Sequence, residues 1–150
     1  MGVQIVRIGA TLPDDLDQLT AAARAEGFGF LDRLSARWID GAYHDGEHAP
    51  DTDATAFAGY VDGELRAIGA QTLDSLDPDP RHRRMRHVYV RTDARRAGVG
   101  RALAGALIQE GFDLAPRLHL RATYDLSRAF WDAMGFSRTD HPTRTHELVR

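Results

Sequence analysis

Arg95, Arg96 and Arg101 stand around Gly98 and Gly100 in the stretch RTDARRAGVGRAL, residues 91–103. Those residue types suit an anion. The start of a helix carries four backbone N–H groups without internal partners and about half a positive charge. Glycines there let a ligand approach the backbone, and arginines add charge at the rim. The apolar run RHVYV precedes the loop and LAGALIQEGF follows it, so the loop marks a turn from strand into helix. It is not GxGxxG, because the third glycine is absent, and it is not a P-loop, because Gly-Lys-Ser/Thr is missing. The alternative is a glycine turn whose arginines are merely solvated.

Other chemistry is narrower. There is no cysteine, so disulfides and a thiol nucleophile are excluded. All 19 basic residues are arginine, which excludes a lysine Schiff base. The segment HDGEH, residues 44–48, is not HExxH and falls in an expected loop, so no metal site is expected. The arginine run at 81–86 lacks interleaved aromatics or a reading helix, and nucleic acid is not an expected partner.

The net charge of the 150 residues is −3, but it is uneven. Residues 1–80 hold five arginines against 15 acids, and residues 81–150 hold 14 against seven. One reading is a cationic ligand on the acidic half and an anionic one on the basic half. The other is two solvated surfaces. A chain of this length buries roughly 70% of its unfolded surface, enough for one domain spanning 1–150. The start, MGVQIVRIGATLPDD, has no long apolar run, so neither membrane insertion nor export is expected and a cytoplasmic location is the default.

The elements that must position the loop read as follows. VQIVRI, residues 3–8, alternates as a half-buried strand. A helix capped by Thr11 and stopped by Gly27 follows, then a second over about 30–40 with Leu31, Leu34 and Trp38 on one stripe. Residues 42–53 form a polar loop. Asp62-Gly63 between two strand-like runs predicts a hairpin. After a loop rich in Asp and Pro come a strand at 85–90, a helix at about 98–111 and a strand at 117–122. A short helix, LSRAFWDAM, ends at Gly135, and FSRT and THELV pair last. The order β-α-α-β-β-β-α-β-α-β-β implies a mixed sheet with helices packed on it.

Arg95-Arg96-Ala97-Gly98-Val99-Gly100 matches Arg/Gln-x-x-Gly-x-Gly/Ala, and AFWDAMGF follows about 30 residues later. Together with the element order, these resemble the GCN5-related N-acetyltransferase (GNAT) superfamily over nearly the whole chain. The resemblance implies an α/β (α+β) domain, with a mixed, mostly antiparallel sheet of about six to seven strands and about four helices. It implies an acetyl-CoA-dependent enzyme that acylates an amine of a small molecule or peptide, and a homodimer is a mild expectation. By carry-over, backbone N–H groups from Arg96 to Arg101 bind the pyrophosphate, with Arg95, Ala97, Gly98, Val99 and Gly100 in the same loop. The strand edge at Val88, Tyr89 and Val90 takes the pantetheine, an N–H near Val88 polarises the thioester, and Tyr124, Ser127 and Trp131 complete the site.

The sequence also departs from that pattern. Arg84 stands where several members carry a base glutamate, and arginine is no base at neutral pH. His87 is the candidate base, or else a histidine packed on the far sheet face. Arg84 and Arg86 either pair with a carboxylate of the acceptor or begin a solvated strand. Trp131 replaces the usual helix tyrosine and cannot donate a useful proton. Tyr124 is the remaining candidate acid, or else a wall of the tunnel. The acceptor side would hold Phe28, Phe30, Trp38, Tyr43, Asp45 and Glu47, aromatic and acidic enough for a cationic amine. A non-catalytic CoA-binding module is the rival to the enzyme.

Overall fold

The computed structural model describes residues 2–150. Its main sheet has seven strands. They are β1 (Val3–Arg7), β4 (Thr55–Val61), β5 (Glu64–Thr72), β6 (His82–Val90), β7 (Arg117–Leu120), β9 (His146–Val149) and β8 (Ser137–Arg138), side by side in that order. Every neighbouring pair is antiparallel except β6 and β7. Four α-helices cover it: α1 (Leu16–Ala25), α2 (Phe30–Arg37), α3 (Val99–Leu114) and α4 (Asp125–Ala133). The expected single α/β domain is the observed one. No described helix is long and apolar enough to cross a membrane.

Alternation along β6 explains the layering. Tyr89 enters a cluster with Leu19, Leu31 and Leu34 of α1 and α2. Val88 and Val90 pack against a second cluster, with Val99, Leu103 and Leu107 of α3 and Trp131 of α4. The sheet therefore lies between two apolar cores. Val99, Leu103 and Leu107 are fully buried, as their i, i+4, i+8 spacing requires. Such burial is worth roughly 1.5–3 kcal/mol per side chain.

Asp62 and Gly63 both have positive φ, 51° and 83°, and close the β4–β5 hairpin. Several boundaries differ from the sequence reading. Asp15, not Thr11, occupies the cap of α1, and its side chain makes no capping bond, because a turn through Pro13 comes first. The second helix ends at Arg37, and Trp38–Ile39 (β2) pairs with Ala42–Tyr43 (β3). Asp40 and Gly41, at φ 52° and 78°, form the turn between them. The strand expected at 85–90 begins at His82, and α3 continues to Leu114.

Gly69 of β5 has a packing reason. A Cβ there would lie 2.9 Å from Val88 Cγ2 and 3.0 Å from Leu107 Cδ1, so strand and helix leave no room for one. Gly105, in the exposed interior of α3, has nothing within 4 Å of such an atom. Alanine at the two positions has opposite consequences. Gly69→Ala lowers stability by about 1–3 kcal/mol through overpacking, whereas Gly105→Ala raises it by about 1 kcal/mol through helix propensity. Thermal melts check this at roughly 2–4 °C per kcal/mol. An unchanged melting temperature for Gly69→Ala would mean that β6 and α3 yield easily.

Candidate functional site

The parallel pair β6–β7 is joined only from His82 to Arg84, opposite Arg117 to His119. Beyond that, β6 runs on to Val90 while β7 stops at Leu120, so the rest of that edge has no strand beside it. The other edge of β6 stays on β5, with Ala70 opposite Arg86 and Ile68 opposite Tyr89. His87 and Val88 thus share one opposing residue, Gly69, which is a β-bulge. His87 takes φ 58° to make it, a backbone region that few non-glycine residues occupy. After the bulge, the Arg91 N–H still donates to the Arg66 carbonyl on the β5 side. Alternation then turns the amide groups of Val88 and Val90 to the open edge.

That edge runs into the glycine loop. Gly98 caps α3 at φ 83°, a left-handed conformation suited to glycine. The first bond into the helix is from the Ala102 N–H to the Gly98 carbonyl, 3.1 Å. The N–H groups of Gly98, Val99, Gly100 and Arg101 come before it, and no side chain caps them. Ala97 differs, because its N–H is spent on the Ala94 carbonyl at 3.0 Å.

The three arginines divide by role. Arg95 is a brace: its Nε donates to the Val90 carbonyl at 3.0 Å and its Nη2 to both oxygens of Glu26. The Tyr89 hydroxyl donates to the same carboxylate. Partial burial of Glu26 opposes ionisation, but Tyr89 and Arg95 outweigh it and hold the carboxyl below its usual value. Arg96 and Arg101 form no ion pair within the described residues and line a cavity of about 480 Å³. Val88, Tyr89, Val90, Gly98 and Gly100 line it too, with Tyr124, Ser127 and Trp131 from the far side. Val99 is in the core instead, with its side chain fully buried.

A second cavity, about 420 Å³, continues past Val88 and shares Phe28, Phe30, Tyr124, Ser127 and Trp131 with the first. Arg33, Arg84, Arg86 and Arg121 line it, and no acidic residue does. Asp74 stands behind, fully buried, with His119 Nε2 at 2.9 Å and Arg121 Nη2 at 2.8 Å. Burial opposes its charge, but His119, the Leu76 N–H and the arginines hold it ionised far below the usual carboxyl range. Burial pushes Arg84 down to about 9, helped by Arg86 and Arg121, which still leaves it charged at neutral pH.

His87 is enclosed. Its Nδ1 lies 3.0 Å from the Phe30 carbonyl, which can only accept, so Nδ1 carries the proton. Nε2 then accepts from the Tyr43 hydroxyl at 2.7 Å, and that oxygen in turn accepts from Arg37 at 3.2 Å. Burial, then Arg86 and Arg84, hold the imidazole neutral well below its ordinary range, against the opposing pull of Phe30. Both ring nitrogens are engaged. Tyr124 is the opposite case: it is 51% exposed, edge-on to Phe28 at 4.8 Å, and faces both cavities.

The expected acidic acceptor wall is elsewhere. Asp45 accepts from Glu47 and His48 of its own loop, and neither it nor Glu47 borders either cavity. Trp38 is buried with its Nε1 on the Gly9 carbonyl, 2.9 Å away. Phe28 and Phe30 do line both cavities. The sequence reading missed Phe130 and Leu126, which line the first cavity. AFWDAMGF offered a signal for Phe130, since it neighbours Trp131.

Residues 16–136 match the acetyltransferase (GNAT) family, and the chain belongs to that family. A candidate acetyltransferase from Exiguobacterium sp. 255-15 is 27% identical, with a TM-score of 0.77 over 99% of this chain and 94% of that one. The PaiA N-acetyltransferase of Thermoplasma acidophilum, solved with coenzyme A, is 13% identical and shares the fold, with a TM-score of 0.65 over 100% of both chains. The acetyltransferase of GNAT family from Staphylococcus aureus Mu50 is 9% identical, with a TM-score of 0.66 over 99% of both. No curated protein matches in sequence.

A histidine neutral in the fold and protonated when unfolded gives a definite sign. Its contribution is present above the unfolded value near 6.5 and is lost as pH falls below it. His87→Asn keeps a residue that tolerates positive φ and removes the titration. Denaturant titrations between about pH 7.5 and 5 should show wild type losing stability more steeply, by up to about 1.4 kcal/mol per pH unit. Parallel slopes would remove His87 from the pH response.

Proposed function

We propose that the protein is an N-acetyltransferase that moves an acetyl group from acetyl-CoA to an amine of a small molecule or peptide. One observation carries this: an open strand edge leads into four uncapped amides at the start of α3, rimmed by Arg96 and Arg101. The edge suits an extended chain of amides such as pantetheine, and the uncapped amides suit a pyrophosphate. Acetyl-CoA supplies an acyl group held by a thioester.

The chain's own groups then do little covalent chemistry. Arg96, Arg101 and the loop amides hold the donor. The Val88 N–H, on the open edge beside the bulge, is placed to bond the carbonyl oxygen as charge builds on it. A neutral amine nitrogen attacks the carbonyl carbon, the new C–N bond forms, the C–S bond breaks, and the thiolate leaves. With four arginines and no carboxylate on the acceptor side, a bound ammonium is disfavoured against the neutral amine. That replaces part of the work of a base, and the amine proton passes to water. His87 acts here by holding the bulge, and Tyr124, exposed at both cavities while the Tyr89 hydroxyl is held by Glu26, is the phenol to protonate the thiolate.

A non-catalytic CoA-binding module is favoured only by the lack of an acidic residue at the cavity wall. Thiol release from acetyl-CoA over an amine panel separates the two readings, since a module binds CoA and releases none. Replacing Arg96 and Arg101 together by Gln should weaken CoA binding at least tenfold in calorimetry, at roughly 1.5–3 kcal/mol per charge-assisted bond. Melting should be unaffected, because neither arginine holds another residue. Unchanged CoA affinity would sink the assignment. Tyr124→Phe should cost kcat less than about tenfold at saturating acetyl-CoA, because water reaches the exposed phenol and can protonate the thiolate instead. A hundredfold loss would make Tyr124 the essential acid.

A further inference from the structure

The second cavity holds more positive charge than the protein itself neutralises. Arg121 is satisfied, with Nη2 on Asp74 and Nε on the Thr143 carbonyl. Arg33 is exposed to solvent at the rim. Arg84 and Arg86 are different. Arg84 Nε, Arg86 Nε and Arg86 Nη1 are buried and have no hydrogen-bond partner among the described residues. Arg84 comes no closer to a carboxylate than 3.9 Å from Asp74, and only 15% of its side chain is exposed. Arg86 has only the face of Tyr43, 5.0 Å from the ring centroid. Buried donors left unpaired are costly, and a buried unpaired charge more so. A planar guanidinium is also the side chain best shaped to hold a carboxylate by two parallel bonds.

We infer that Arg84 and Arg86 bind a carboxylate of the acceptor, so that the acceptor class is a small amine that is also a carboxylic acid, as a free amino acid is. The inference rests on the acyl-transfer reading, which makes this cavity the acceptor side. The position along β6 distinguishes this anion from the CoA phosphates. Arg86 stands four residues before Val90, up to roughly 13 Å along the strand, and the loop at Gly98 lies beyond Val90. Val88 is between the two. A carboxylate at Arg84 and Arg86 therefore leaves the other end of a short amino acid pointing towards Val88, where the carbonyl to be attacked would lie. A cationic acceptor without an acid group would meet uncompensated like charge.

The test is calorimetric titration of the protein, with and without CoA, by free amino acids and by their carboxamides. The carboxamide keeps the shape and the amine and removes only the negative charge. At least one amino acid should bind at least tenfold more tightly than its carboxamide. In Arg86→Gln that preference should fall towards one. Arg84→Gln is the second variant, and melting curves report folding. Removing an unpaired buried cation should leave the melting temperature unchanged or raised. Equal affinity for acid and carboxamide, or no binding of any amino acid, overturns the inference. So does a loss in both variants that is equal for acid and carboxamide. Failure of CoA itself to bind overturns the acyl-transfer reading instead, and the titrations without CoA still decide whether the arginine pair takes a carboxylate.

Discussion

The whole site depends on one break in backbone pairing. β6 and β7 hold together for three residue pairs and then part, because β6 carries a bulge and β7 ends. A parted strand in the interior exposes polar groups, which is tolerable only if something fixes the edge where it is. Three devices do so. Gly69 lets the bulge sit against α3 without a Cβ between them. The chain of bonds from Arg37 through Tyr43 and His87 to the Phe30 carbonyl ties the bulge to α2 and β3. At the far end, Glu26, Tyr89 and Arg95 tie the last residues of β6 to the end of α1.

This explains which parts of the site were legible in the sequence. The glycine loop announced itself, because its chemistry is local: Gly98 is needed for a positive φ, and the amides follow from the helix start. The framework was legible for a similar reason, since hydrophobic spacing alone places α3 against the sheet. Local rules also failed where two of them competed. Asp62-Gly63 was read as a hairpin turn, but the same dipeptide at Asp40-Gly41 was absorbed into a helix end, because Trp38 completed an apolar stripe. Both turns have the same pair of positive φ angles. The short strand that results brings Tyr43 to His87, so the error hid the partner that decides what His87 does.

The charge asymmetry between the halves admitted two readings, ligands of opposite charge or two solvated surfaces, and neither included pairing across the fold. Four acids of the first half meet arginines of the second across the fold. Glu26 pairs with Arg95, Asp51 with Arg83, Asp74 with Arg121, and Asp77 with Arg144. A count along the sequence cannot see this, because ion pairing is decided by which strands become neighbours. Part of the asymmetry is therefore consumed inside the molecule, and no acidic residue borders either cavity.

What matters is the residue of that pairing. Once the cross-fold pairs are made, Arg84 has a share in Asp74 and Arg86 has none. Folding alone gives no reason to retain two such cations at a cavity wall, since a hydrophobic residue of similar size would cost less. Buried charge left over at a cavity wall belongs to the ligand's half of the balance. The bulge that positions Val88 towards the donor is made by His87 and Val88, directly after Arg86. The same distortion of β6 thus sets the distance between the place where an acyl group would be presented and the place where an anion would be held, and that fixed distance limits the acceptor's length as well as its charge.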